Sequence, residues 1–174
     1  NGNMSAVGAE CAVVLPDENL LRTVLNSIPE QVKDINVTMG LPMAGSLLYS
    51  LMSDIASMQI NVMHRKGKAW FYHKHVWNVF SNEVFRKIAD ENTLQKVADI
   101  KKEAKHYIPT EDFEGIGLLS SVFTPAVYDP KSASADQIHG FCQYQKDVLK
   151  ALASGIADDS SLALELEYAR EYYR

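Results

Sequence analysis

The spacing of apolar residues divides the beginning of the chain into alternating predicted strands and helices. Residues 11–15 form a continuous apolar run, and residues 35–39 alternate and are rich in β-branched side chains, so both are predicted strands. Helical spacing predicts helices at about 18–27, where Asp17 supplies the N-cap, and at about 46–59. The first sixty residues are therefore predicted to form a strand–helix–strand–helix segment.

After this segment the pattern becomes mainly helical. A basic turn over 64–68 precedes a short aromatic run, residues 69–72, that has the character of a strand. Three predicted helices follow, at about 75–89, at 92–105, which Asn92 starts, and at 111–122. A fourth begins with a capping box at Ser134 and ends at Gly155, and a last helix begins at Asp158 or Asp159. The whole pattern predicts an α+β fold that is predominantly α.

Composition and charge narrow the function classes. Among 174 residues, 17 Lys and Arg stand against 22 Asp and Glu, so the net charge of −5 excludes a general electrostatic attraction to nucleic acid but permits a local basic patch. No apolar stretch is long enough to predict a membrane span. Cys11 and Cys142 are far apart and are predicted to be reduced, buried thiols, and the N-terminus lacks a signal-peptide pattern, so we expect a cytoplasmic protein.

The segment from Gly40 to Leu47 has the position of a phosphate-binding loop, because it follows a predicted strand and opens a helix. That loop needs a Lys and then a Ser or Thr after its second glycine, whereas Ser46 and Leu47 stand there. We therefore predict no nucleotide and no other cofactor, although the helix start retains backbone amides that suit an anion. Gly40 and Pro42 are interpreted as a structural turn, with a positive φ expected at Gly40.

Two arrangements of side chains resemble parts of metal sites. Asp90 with Glu103 and Lys105 has the spacing of a nuclease site, and His73 with His75 would share one face of a strand, near a third histidine upstream. The helical period around Glu103 and the missing further ligands favour a solvated helix surface and ordinary polar histidines. We predict no metal site and no catalytic residue; a metal-dependent nuclease would require bound metal near His73 or Glu103.

The basic turn is the candidate DNA contact. Arg65, Lys66 and Lys68 stand beside Trp70 and Tyr72. Cations interleaved with aromatic side chains hold a single strand by phosphate contact and by base stacking. The alternative interpretation is a solvated hairpin tip above a cluster of core aromatics.

Residues 11–42 resemble a known family. The runs CAVVLPDENLLRTVL and INVTMGLP, with an Ile-Pro pair between them, resemble the start of the second motor domain of UvrD/Rep-type superfamily 1 helicases. The resemblance is closer to AddB-like subunits of AddAB-type helicase–nucleases, which belong to the PD-(D/E)XK nuclease family. Looser similarity at 71–76, 107–109 and 164–173 extends it over most of the chain.

The resemblance implies a domain organisation and a lost nucleotide site. Residues 1–10 would be a tag or linker remnant, residues 11–60 part of an inactivated RecA-like second motor domain, and residues 61–174 a mostly helical insertion domain. The family's first motif-four arginine, which approaches the γ-phosphate, falls at Pro16, and the second is retained as Arg22. The resemblance therefore implies a helicase-like middle fragment without an active motor.

The resemblance also implies a function for the parent protein. The parent would be a bacterial, ATP-dependent helicase–nuclease that processes DNA double-strand breaks for recombinational repair. This fragment would be non-catalytic and would serve as a scaffold and as an interface to the rest of the parent and to its AddA-like helicase subunit. It could also form part of a DNA channel, with weak or indirect contact to the DNA. The rival is a free-standing helical protein-interaction module without a nucleic-acid role. An unpaired strand edge and an exposed apolar patch would favour the fragment.

Overall fold

The chain divides into two compact units in the computed structural model, Asn1–Pro42 and Met43–Arg174. Each unit is described by itself. The residues that the structure describes are 12–29, 31–32, 35–38, 40, 42–115, 117–126 and 134–173.

The first unit contains the predicted helix. A 3₁₀ turn over Glu18–Leu20 leads directly into α1, Leu21–Ser27. The Asp17 carboxylate accepts a hydrogen bond from the backbone N–H of Asn19 at 2.9 Å, so the predicted N-cap is confirmed.

The two predicted strands of this unit are wrong. Residues 12–15 and 35–38 have no strand structure, and residues 11 and 39 lie outside the described part of the chain. The side chains of Val13 and Val14 are 68% and 87% exposed, where a central strand would bury them. A strand forms only where a neighbouring strand accepts its backbone hydrogen bonds, and no described residue pairs with these two runs.

The conformation predicted for Gly40 is also wrong. Gly40 does not have a positive φ, and a Cβ built on it meets no atom within 4 Å. We therefore expect Gly40→Val to change the free energy of unfolding by less than about 0.5 kcal/mol in urea denaturation. Gly67→Val is the contrasting variant, because Gly67 has a φ of +73° and the strain is expected to cost about 1–3 kcal/mol. Equal losses from the two variants would contradict this expectation.

The second unit holds most of the secondary structure. Its described helices and strands are α2 (Leu47–Ile60), β1 (Met63–Arg65), β2 (Lys68–Tyr72), α3 (His73–Ser81), α4 (Glu83–Ile88), α5 (Glu91–Lys102), β3 (Tyr107–Pro109), α6 (Gly117–Val122), α7 (Ala135–Ala157) and α8 (Ala163–Tyr173). Three 3₁₀ turns lie at Met43–Gly45, Thr110–Phe113 and Ser160–Leu162. The strands form an antiparallel sheet in the order β1-β2-β3. The predicted class, α+β and predominantly α, is confirmed.

Helix α2 belongs to this second unit. The predicted domain boundary follows residue 60, but the compact unit begins at Met43. The reason is the apolar stripe of α2, which is fully buried and packs against α3, α4 and α8. The buried side chains of this stripe are Leu48, Leu51, Met52, Ile55 and Met58.

A cluster of phenylalanines fills the core beneath the sheet. Phe71 on β2 has its ring centroid 6.2 Å from that of Phe113 and 5.8 Å from that of Phe123. Phe113 and Phe123 stack at 4.1 Å, and Phe80 of α3 lies 5.3 Å from Phe123. One face of the small sheet is thus fixed to the helices by aromatic packing.

The predicted helix over 75–89 is divided in two. Asn82 has an extended backbone with φ −65° and ψ 136°, which ends α3, and its side-chain oxygen accepts from the N–H of Val84 at 2.9 Å to start α4. The spacing of apolar residues continues through both helices, so the sequence pattern does not indicate that Asn82 separates them and caps the second.

The next two helices of the structure begin at residues other than those predicted. Helix α5 is capped by Asp90, which accepts from the N–H of Thr93 at 2.8 Å, and not by Asn92. The predicted helix over 111–122 is interrupted at Gly115, whose φ is +77°, so that a 3₁₀ turn and α6 replace it. A positive φ cannot continue a right-handed helix.

The capping box at Ser134 is confirmed, with its Gln137 partner. Gly155 does not end α7, which continues to Ala157. A Cβ on Gly155 would lie 2.9 Å from the Cβ of Ile88, so the missing side chain lets α4 pack closely on α7. Gly155 therefore provides space for the packing of two helices and is not a helix stop.

A buried glutamine joins α2 to the segment after α6. The Gln59 side chain is fully buried; its Nε2 donates to the carbonyl of Thr124 at 2.9 Å and to the hydroxyl of Tyr144 at 2.8 Å. Its Oε1 accepts from the N–H of Ala126 at 2.9 Å. Burial raises the pKa of Tyr144, whose hydroxyl therefore stays protonated and donates to the carbonyl of Val122.

Two sequence expectations concern the environment of the protein. Among the described residues, no helix is both long and apolar enough to cross a membrane. Cys142 is a free thiol that is exposed, contrary to the predicted burial, because it lies on the solvent side of α7; Cys11 lies outside the described residues.

Candidate nucleic-acid interface

The predicted cations lie at the tip of a β-hairpin. A two-residue turn joins β1 to β2, and its residues Lys66 and Gly67 have φ values of 50° and 73°. Two consecutive positive φ values are typical of the type I′ turn, whose twist matches antiparallel strands. Arg65 and Lys68 pair across the hairpin, so all three predicted cations stand together and are exposed.

The alternation of β2 separates its side chains onto two faces. Ala69 and Phe71 are buried against the helices, whereas Lys68 is exposed and Trp70 and Tyr72 are half-buried on the opposite face. The structure therefore brings the predicted cation and both predicted stacking residues to one side of the sheet.

The third strand adds a residue to the site that no sequence pattern indicates. Tyr107 on β3 pairs with Tyr72, its side chain is 46% exposed, and the two ring centroids are 5.6 Å apart. Three residues are too short for an alternating pattern, so no local signal indicated a strand here. Together these side chains form what we call the outer sheet face: Met63, Arg65, Lys68, Trp70, Tyr72, Tyr107 and Pro109.

Histidines border this face. The rings of His73 and His75 lie 4.6 Å and 6.0 Å from that of Tyr72. The predicted common strand face for these two histidines is wrong, because both lie in the first turn of α3. His73 Nδ1 is 3.0 Å from the carbonyl oxygen of His106, and since a carbonyl only accepts, this nitrogen carries the hydrogen.

The charge of the chain is unevenly distributed. Residues 55–82 contain Arg65, Lys66, Lys68 and Lys74 but no Asp or Glu, although the whole chain has a net charge of −5. The carboxylate just before this segment, Asp54, is partly buried, and this burial raises its pKa. The hairpin is thus a local positive region on an acidic protein.

One carboxylate opposes the positive region. Glu111 forms an ion pair with Lys68 at 2.9 Å, and both side chains are about half exposed. The nearby carboxylates of Glu103 and Asp112 are bound by Lys105, at 2.6 Å and 3.0 Å, and their hydrogen bonds raise the pKa of Lys105. Among the predicted cations of the hairpin, Lys68 is therefore the one whose charge is partly neutralised.

The helix start after Gly40 is occupied by the protein's own carboxylate. Glu165 of α8 is buried, and it accepts from the N–H of Leu47 at 3.3 Å and of Leu48 at 2.9 Å. Ser46 caps the next amide, that of Tyr49, at 3.0 Å. The amides that would face a bound phosphate thus already have an internal anion.

The nuclease-like spacing does not bring its carboxylates together. Asp90 caps the beginning of α5, and hydrogen bonds from Thr93 lower its pKa. Glu103 follows the end of this 12-residue helix, so about 18 Å of helix separates them. The described residues contain no group of three or more His, Cys, Asp or Glu side chains that would hold a metal ion.

The degenerate motif-four positions lie in the first unit. Pro16 is exposed just before the 3₁₀ turn, and Arg22 lies in α1, with its side chain outside the described part of the structure. Comparisons of the chain with family models, with curated proteins and with solved structures find no match.

Proposed function

We propose that this chain is a non-catalytic module that binds single-stranded DNA weakly through its outer sheet face. The observation that carries the proposal is the placement of Lys68, Trp70 and Tyr72 on one face, with Arg65 and Lys66 at its end. Aromatic faces stack on bases and nearby cations bind phosphates, which is the chemistry of single-strand binding without strong sequence preference.

The resemblance over residues 11–42 supports the biological setting of this proposal. We infer that the module belongs to an AddB-like subunit of a bacterial helicase–nuclease acting in recombinational repair, with the rest of that protein and an AddA-like helicase subunit as partners. The exposed apolar side chains of the first unit support a docking role there, since large exposed apolar groups favour contact with a partner. Among the described residues they are Val13, Val14, Leu20, Val32, Ile35 and Val37.

The rival function is a protein-interaction module without a nucleic-acid role. The short outer edges of β1 and β3 have no pairing strand among the described residues, and they suit either a DNA-processing assembly or another protein partner. Binding to DNA distinguishes the two functions.

The test is fluorescence anisotropy of a labelled oligo(dT) at low and at moderate salt. The variant changes Arg65, Lys66 and Lys68 to alanine. A matched control changes one arginine and two lysines on α7 and α8, which are Arg170, Lys146 and Lys150. We expect binding by the wild type and the control and its loss in the hairpin variant; equal binding by all three, or no binding at low salt, would refute the proposal.

The ion pair between Lys68 and Glu111 gives a quantitative expectation. With Lys68 held by Glu111, two free cations give a slope of log K against log salt near about −1.4, at roughly 0.7 per phosphate contact. We expect Glu111→Gln to tighten binding and to steepen the slope to about −2.1, because it frees Lys68 and removes a negative charge.

The control for this prediction is Glu167→Gln, which makes the same charge change on α8, where Glu167 pairs with Arg170. An increase in affinity of equal size in both variants would indicate a general charge effect. Thermal melting checks that Glu111→Gln stays folded, because exposed ion pairs contribute at most about 1 kcal/mol.

A further inference from the structure

The outer sheet face offers two stacking positions at a fixed spacing. Trp70 forms the first, and the paired rings of Tyr72 and Tyr107 form the second. Since Trp70 and Tyr72 are two residues apart on β2, the positions are separated by about 6.6–6.8 Å.

This spacing differs from that of stacked bases. Neighbouring bases along a duplex strand rise by about 3.4 Å, which is half the distance between the two positions. Two adjacent bases therefore reach both positions only when they are unstacked from each other and the backbone between them is extended.

We infer that the face binds two adjacent, unstacked bases of a single strand, one on Trp70 and one on the Tyr72–Tyr107 pair, and that Tyr107 is a specificity-determining residue. The inference rests on the proposed function and specifies which class of single strand the face binds. Strands whose bases do not stack on one another pay no cost for this arrangement, so pyrimidine strands bind better than adenine strands.

The hairpin supplies the matching phosphate contacts at one end of the face. Arg65 pairs with Lys68 across the turn, adjacent to the Trp70 position. The strand therefore runs along β2, with phosphates beside the turn and bases above the aromatic rings, and His73 and His75 border the far end.

The chain has two tryptophans, which makes the first position observable. Trp77 lies on α3, with its ring 5.7 Å from that of Phe80, so Trp77→Phe leaves Trp70 as the reporter. In this background we expect oligo(dT) to quench the fluorescence and to bind at least about threefold more tightly than oligo(dA) of the same length. Duplex DNA is expected to cause no quenching.

The second position is tested with two variants of Tyr107 in the same background. Tyr107→Thr keeps a strand-forming side chain but removes the ring, and we expect it to weaken oligo(dT) binding by about fivefold or more. Tyr107→Phe keeps the ring and is expected to bind like the parent. Tyr49→Thr is the matched control, because Tyr49 is 41% exposed on α2 and is not one of the residues of the outer sheet face; thermal melting verifies each fold.

The outcomes separate this inference from the proposed function. Binding of oligo(dT) with no preference over oligo(dA), or with Tyr107→Thr equal to the parent, overturns the two-base arrangement and leaves single-strand binding standing. Absence of any binding at low salt overturns both.

Discussion

Glu165→Ala is expected to lower the free energy of unfolding by about 2–4 kcal/mol. The carboxylate accepts from the amides of Leu47 and Leu48, and the amide of Leu48 is buried. Alanine leaves both donors of this helix start without a partner, and it removes a negative charge from the positive end of α2. Chemical denaturation followed by circular dichroism measures the loss.

A neighbouring glutamate on the same helix is the control. Glu167 is exposed and pairs only with Arg170 among the described residues, so Glu167→Ala is expected to cost less than about 1 kcal/mol. Glu165→Gln keeps an acceptor oxygen without the charge and is expected to lie between the two. Similar denaturation midpoints for Glu165→Ala and Glu167→Ala would mean that the Glu165 carboxylate does not stabilise the beginning of α2.

Gln59→Leu is expected to cost about 2–4 kcal/mol for a different reason. The substitution nearly preserves the volume of a fully buried side chain, so little packing is lost. It leaves the amide of Ala126 and the carbonyl of Thr124 without the partner that Gln59 provides. Buried polar groups without a partner are costly because they have lost their water as well.

An exposed glutamine supplies the matched control for this change. Gln143 lies on α7, where its side chain bonds to Asp147 in solvent, so Gln143→Leu is expected to stay within about 0.5 kcal/mol of the wild type. Tyr144→Phe is expected to cost about 0.5–1.5 kcal/mol, and with Gln59→Leu it should be non-additive, since the two side chains share a hydrogen bond. Simple additivity, or an unchanged midpoint for Gln59→Leu, would argue against the network.

The candidate site was partly predictable. The sequence predicted a basic turn over 64–68 and a short strand over 69–72, and the structure forms β2 there after a hairpin turn. The structure alone shows that Trp70 and Tyr72 share one face of the sheet. Tyr107 was not identified, because its strand has three residues and exists only through its pairing with β2. The role of the face in DNA binding stays a prediction.

The first sixty residues show the limit of pattern-based prediction. The runs at 11–15 and 35–39 have the composition of strands, but composition cannot provide a neighbouring strand, and none pairs with their described residues. The phosphate-loop spacing likewise could not show that Glu165, which is 117 residues from Leu48 along the chain, would occupy the helix start.

The helices and caps that the sequence predicted correctly depend on residues only a few positions apart. The periodic apolar stripe of α2, the cap at Asp17 and the capping box at Ser134 are all interactions within three or four residues. The third strand, the internal anion at α2 and the close packing of Gly155 on Ile88 all join distant parts of the chain. They depend on how the helices pack together, because each needs a partner that no neighbouring residue provides.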